Sequence, residues 1–213
     1  MTLLSHILRR VRDVRNFVGN ISEDEKQHWI ELNGLLDDSE IEGKFKRFNF
    51  NINDVSYDSD NSLMLSEEEF LALAIVRAYK KTYGEDIILN RESHGRDETL
   101  ANVNRTVGWF TTQYPVSVKV SGNYDDVSLM IDILNLKNAF KQVNNLGLNY
   151  FSLIYITEEL KYKHCPVTFN FLSTEFKFKN ELFESRDLPA GDDKIGEALS
   201  ENIHYGIDLN IFN

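Results

Sequence analysis

Apolar residues recur at helical spacing in the opening stretch: Leu3, Leu4, Ile7, Leu8, Val11, Val14 and Val18. Arg9, Arg10, Arg12 and Arg15 occupy the opposite face. Ser22 followed by Glu25 has capping-box spacing and predicts a helix through Trp29 and Leu32 that stops near Gly34. Alternation of Phe45, Phe48, Phe50 and Ile52 reads as a strand over 44–52, and the acidic 54–62 as a loop. Ser66 caps a further helix to Gly84, with Glu67, Glu68 and Glu69 in its first turn, where the macrodipole favours anions. Phe70, Leu71, Leu73, Ala74, Ile75, Ala78 and Tyr79 run nearly round this helix, which predicts deep burial.

Residues 86–89 form a short apolar strand that leads directly into Glu92. Strands are predicted over 116–120, 167–172 and 205–212 and a helix over 126–143, while 148–156 fits a strand or, better, the start of a helix. A polar excursion carrying Pro189 and Gly191 fills 176–196. Strands alternating with helices predict an α/β fold on one main sheet. The polar cluster after strand 86–89 stands where open α/β sheets place ligands.

Charge narrows the partners. With 23 Lys and Arg against 34 Asp and Glu, the formal net charge is −11. That disfavours nucleic acid, whose affinity rests on neutralised phosphates, and anionic membranes. No apolar run approaches the ~20 residues of a bilayer span, and the four arginines argue against a signal peptide. Cys165 is the only cysteine, so there is no internal disulfide and no cysteine zinc site. A cytoplasmic location is expected.

Candidate chemistry concentrates in Glu92-Ser93-His94-Gly95-Arg96-Asp97 and in Arg105 to Val116. Glu92 and His94 are two apart and would share a face on a strand. A carboxylate at a strand end against apolar walls can act as a general base, since burial raises its pKa toward neutrality. The alternative is a structural network pairing Glu92 with Arg91, Arg96 or Arg105. Trp109, Phe110, Tyr114 and Pro115 could floor a substrate channel or simply fill the core. Asp58, Asp60 and Glu69 only faintly match a calcium loop, because Leu63 stands at its glycine position. No G-x-S-x-G elbow and no Gly-rich phosphate loop occur.

The two clusters resemble the EGHGRE and RTVGWFTxxYP motifs of epimerisation domains of nonribosomal peptide synthetases, members of the condensation-domain superfamily. Residues 137–150, KNAFKQVNNLGLNY, resemble the family's VKExLRxIPxxGxGY, and 166–172, PVTFNFL, its PxxxFNYLG. The stretch 192–211 resembles the entry to its last strands, and Trp29 matches the YW closing its interlobe linker. The likeness covers most of the chain from about residue 64. Ser93, Asn149 and Ser173 replace family glycines, and Asp97 replaces the last Glu of EGHGRE. The family's HHxxxDG motif has no counterpart, and the chain stops short of the family's closing segments.

The resemblance implies an N-terminal helical and linker segment over 1–63 and, over 64–213, a single C-terminal lobe. That lobe would be a mixed-sheet two-layer sandwich of the chloramphenicol-acetyltransferase-like type. It implies a partial epimerisation or condensation domain acting on aminoacyl or peptidyl thioesters. These ride on the phosphopantetheine arm of a peptidyl carrier protein, with no cofactor bound by the lobe itself. Glu92, with His94 beside it, would be the catalytic pair; Arg96, Arg105, Trp109, Thr111 and Tyr114 would meet the substrate. A partner lobe supplying HHxxxDG, a synthetase, or a second copy as homodimer would complete the site, the 173–202 excursion reaching across. The alternative is an inert half-domain that docks a carrier or synthetase.

Overall fold

The computed structural model describes residues 21–36, 64–96, 110–172 and 207–212. The helix expected over 2–18, the strand over 44–52 and the excursion over 176–196 lie outside them. So do Asp97, Arg105 and Trp109.

Helix α1, Glu23–Gly34, begins where Ser22 accepts the Glu25 amide at 3.2 Å. Helix α2, Glu67–Tyr83, carries a complete capping box: Ser66 Oγ accepts from the Glu69 amide, and the Glu69 carboxylate accepts from the Ser66 amide. Strand β1, Ile87–Ser93, is followed by β2, Thr112–Val118, then by α3, Asp126–Lys141. A 3₁₀ turn at Asn145–Gly147 leads into α4, Leu148–Tyr155. Strands β3, Val167–Leu172, and β4, Ile207–Phe212, complete the described elements.

The four strands make one mixed sheet in the order β2-β1-β3-β4. β1 runs antiparallel to β2 and parallel to β3, and β3 parallel to β4. β2 is an edge strand and carries Pro115 in its middle. One face of the sheet is apolar: Ile87, Leu89, Val116, Val118, Val167 and Phe169 are buried in a single core with Ala72, Leu73 and Val76 of α2 and Ile133 and Leu136 of α3. The α/β architecture agrees with the sequence pattern, and the mixed sheet with what the resemblance implies.

Burial of α2 differs from expectation. Only Ala72, Leu73 and Val76 are buried; Phe70, Leu71, Ile75 and Tyr79 are half-buried, and Ala74 and Ala78 are exposed. The helix lies on one face of the sheet, and no described element covers its far side. Helix α1, expected ahead of the lobe, packs into the same core. Trp29 is fully buried, its ring 5.2 Å from Tyr150 and 6.5 Å from Tyr114.

The turn into α4 is fixed by Gly147, which has φ +72°. A Cβ there would stand 1.8 Å from Cδ1 of Tyr114. Gly147→Ala combines left-handed strain with overpacking and should cost about 2–4 kcal/mol. Urea unfolding followed by far-UV circular dichroism reads this as a lowered midpoint.

Candidate functional site

Alternation along β1 sorts its last residues between the two faces of the sheet. Arg91 and Ser93 point to the core face. Arg91 Nη1 donates to the Tyr114 hydroxyl at 3.0 Å, and Ser93 Oγ lies 2.8 Å from the same oxygen. The Arg91 guanidinium is also held by Glu68 of α2, with Nε and Nη2 each 2.7 Å from Oε1, and it stacks 4.2 Å over the Phe140 ring. Burial pushes the Tyr114 phenol up; the neighbouring Arg91 opposes that, but burial is the larger effect. Tyr114, expected at the substrate, is thus a buried core residue hydrogen-bonded to Arg91.

Glu92 lies between these two residues and projects from the other face. It is next to last in β1, at the strand's C-terminal end as expected. Its register partner across the antiparallel pair is Gln113, whose Nε2 donates to Glu92 Oε1 at 2.5 Å. Arg91, a cation that could have neutralised Glu92, is committed to Glu68 instead. Gln113 and Asn90, on the Glu92 side, line a cleft of about 20 Å³ with Tyr150, Ile154, Lys163 and Cys165. That is room for about one water. Lys163 is tied to the Leu36 carbonyl at 3.0 Å, and burial raises the Cys165 thiol to about 12, so the thiol is neutral at physiological pH. A larger cavity of about 330 Å³ lies beyond the outer edge of β2, between His28 and Leu32 of α1 and Asn135 and Gln142 of α3.

His94 does not share the Glu92 face through strand alternation, because β1 ends at Ser93. Gly95 turns the chain there with φ +60°, and a Cβ on it would lie 1.7 Å from the Phe110 carbonyl oxygen. This close approach locks the first motif against the second. In the turn, the Arg96 amide donates to His94 Nδ1 at 3.1 Å, which leaves the proton of a neutral imidazole on Nε2. The exposed His94 ring is therefore held by its own loop. The Arg96 guanidinium stacks 4.2 Å over the Phe110 ring. Thr111 is half-buried just ahead of β2.

Sequence reasoning missed Gln113, the Glu68–Arg91–Tyr114 network and Gly147. The signal for Gln113 was its place opposite Glu92, which requires the strand register. Chemically, the arrangement is a carboxylate held by a neutral amide at a strand end. Such a group can take a proton from a donor brought against that face.

No family model matches the sequence. It is 34% identical over 147 residues to bacitracin synthase 2 of Bacillus licheniformis, a match covering 66% of this chain and 6% of the synthase. It is 29% identical over 186 residues to gramicidin S synthase 1 of Brevibacillus brevis, covering 75% of this chain and 17% of that protein. The fold is similar to that of the epimerization domain from the third module of tyrocidine synthetase B. The TM-score is 0.55 at 19% identity, over 76% of this chain and 42% of that one. The chain is homologous to a segment of nonribosomal peptide synthetases and has the fold of part of an epimerization domain. It spans less than a fifth of the length of the two synthases. Among its described residues no helix is long and apolar enough to cross a membrane.

Proposed function

We propose that this partial epimerisation- or condensation-type domain serves nonribosomal peptide biosynthesis as one acetyltransferase-like lobe of a two-lobe epimerase. The lobe is a two-layer sandwich whose polar sheet face borders the reaction space. A carrier protein presents an aminoacyl or peptidyl thioester on its phosphopantetheine arm, and Glu92 removes the Cα proton. The observation that carries this reading is the placement of Glu92: at a strand end, on the face away from Arg91 and the core, hydrogen-bonded to Gln113. Arg96 and Thr111 flank the same strand ends, and with Arg105 and Trp109 of the intervening stretch they would contact the carrier-bound substrate; His94 is a candidate second acid/base.

Inversion needs proton removal on one face of Cα and return on the other. One base alone exchanges a proton but inverts poorly. The opposed group comes from a second lobe carrying HHxxxDG, or, in the less complete variant, from a second copy of this chain set against the Glu92 strand end.

The test uses a carrier-bound aminoacyl thioester in D₂O. The pure chain should give no measurable D/L equilibration. Adding an HHxxxDG lobe from a homologous synthetase should restore it and raise the mass seen by light scattering. Equilibration by the pure chain would refute the two-lobe requirement and make His94 the first residue to replace. A second reading, an inert lobe that docks a carrier or synthetase, is favoured by the small size of the cleft beside Gln113. Binding of the carrier without any Cα exchange, even with the added lobe, would establish it.

A further inference from the structure

We infer that Gln113 is the positioning residue for Glu92: it fixes the carboxylate's orientation and sets its protonation equilibrium. The inference deepens the proposed role of Glu92 and rests on that reading for its catalytic meaning.

The argument starts from register. Glu92 and Gln113 are directly opposed in the antiparallel pair, where same-face side chains come closest. The amide donates to Oε1 at 2.5 Å. Both side chains are half-buried, so the bond is partly shielded from competing water. An amide differs from a guanidinium in a way that matters for a base. Its NH₂ group donates to the carboxylate, and after a half-turn its carbonyl accepts from the carboxylic acid. Glu92 can thus keep its place before and after it takes a proton. An arginine there would stabilise only the ionised form and weaken the base. The sheet keeps Arg91 on the opposite face, bound to Glu68.

The other titratable and charged groups around this side, among the described residues, are few. His94 and Arg96 follow the strand in one turn, the Arg96 guanidinium stacked over Phe110. Tyr150 and Tyr155 come from α4, and Tyr162, Lys163 and Cys165 from the segment ahead of β3, across the cleft. Lys163 is turned to the Leu36 carbonyl, and Cys165 is un-ionised near neutrality.

The test is a carbon-13 NMR titration of the Glu92 carboxyl in the full chain, with Glu92→Gln to assign the signal. Gln113→Leu removes the donor and should raise the Glu92 pKa by about one unit, roughly tenfold in proton affinity. Gln113→Arg supplies a fixed positive charge and should lower it by a similar amount. Amide spectra confirm that both variants fold. A purely structural contact does not move the pKa in opposite directions, so unchanged titration in the two variants overturns the proposal. So does a shift of the same sign in both. This measurement involves no turnover. Failure of the epimerase reading would appear separately, as absent Cα exchange in the wild-type two-lobe sample.

Discussion

Replacing Asp132 with alanine is expected to cost the fold about 3–5 kcal/mol, the range for removing one partner of a buried ion pair. Asp132 of α3 has no solvent exposure. Its carboxylate takes a hydrogen bond from Arg77 of α2 and a second, at 2.7 Å, from the Ser121 amide. Arg77 also donates to the Asn123 carbonyl at 3.2 Å and lies 4.9 Å from the centre of the Tyr124 ring. One carboxylate therefore joins both helices to the loop between β2 and α3. Alanine there leaves a half-buried guanidinium and an amide without their acceptor. A domain with ordinary stability of 5–15 kcal/mol would lose a large share of it. Denaturant unfolding of Asp132→Ala, beside the double replacement Arg77→Met with Asp132→Leu, reads the effect. The apolar pair should recover much of the loss, because it removes both charges from the interior. A single replacement within 1 kcal/mol of the parent would show that the ion pair does not hold the helices together.

Glu92→Gln should lower Cα exchange on a carrier-bound thioester by about 10²- to 10⁴-fold in the two-lobe sample, the usual contribution of a general base. The substitution keeps size and hydrogen bonding but cannot take a proton near neutral pH. Because Glu92 is half-buried on the polar face and outside the apolar core, the variant should unfold close to the parent. Loss of exchange with unchanged stability and carrier binding assigns the role to chemistry. Full exchange in Glu92→Gln would remove this carboxylate from the mechanism and leave His94 to be tested.

Local chemistry was legible in the sequence, and long-range geometry was not. The Ser66 box and Gly84 fix α2 because capping involves residues three or four apart. Ser22 and α1 were readable for the same reason. The location of Glu92 at a strand end followed from the apolar run 86–89. Its neighbours did not. The register that sets Gln113 opposite Glu92 is closed by a connection from 94 to 111, and nothing in its composition counts residues across the pair. Arg91 and Glu68 are 23 positions apart, and Arg77 and Asp132 are 55 apart. In a helical pattern Asp132 reads as a surface charge until its partner helix is placed. Tyr114 carried too little information to choose between channel floor and core; the choice fell to the parity of β2, which turns it toward Arg91. His94 left the expected face because Gly95 ends the strand one residue before it.

Pro115 gives the sheet a direction of growth. Among the described residues β2 has a neighbour on one side only, and proline has no N–H to offer a strand arriving on the other. That margin is therefore a poor template for annealing to another chain. Within the described sheet, lengthening by a further strand is therefore disfavoured at β2 relative to the margin beyond β4. The described sheet thus has one guarded side, and a two-lobe partnership built by strand addition would have its orientation chosen in advance.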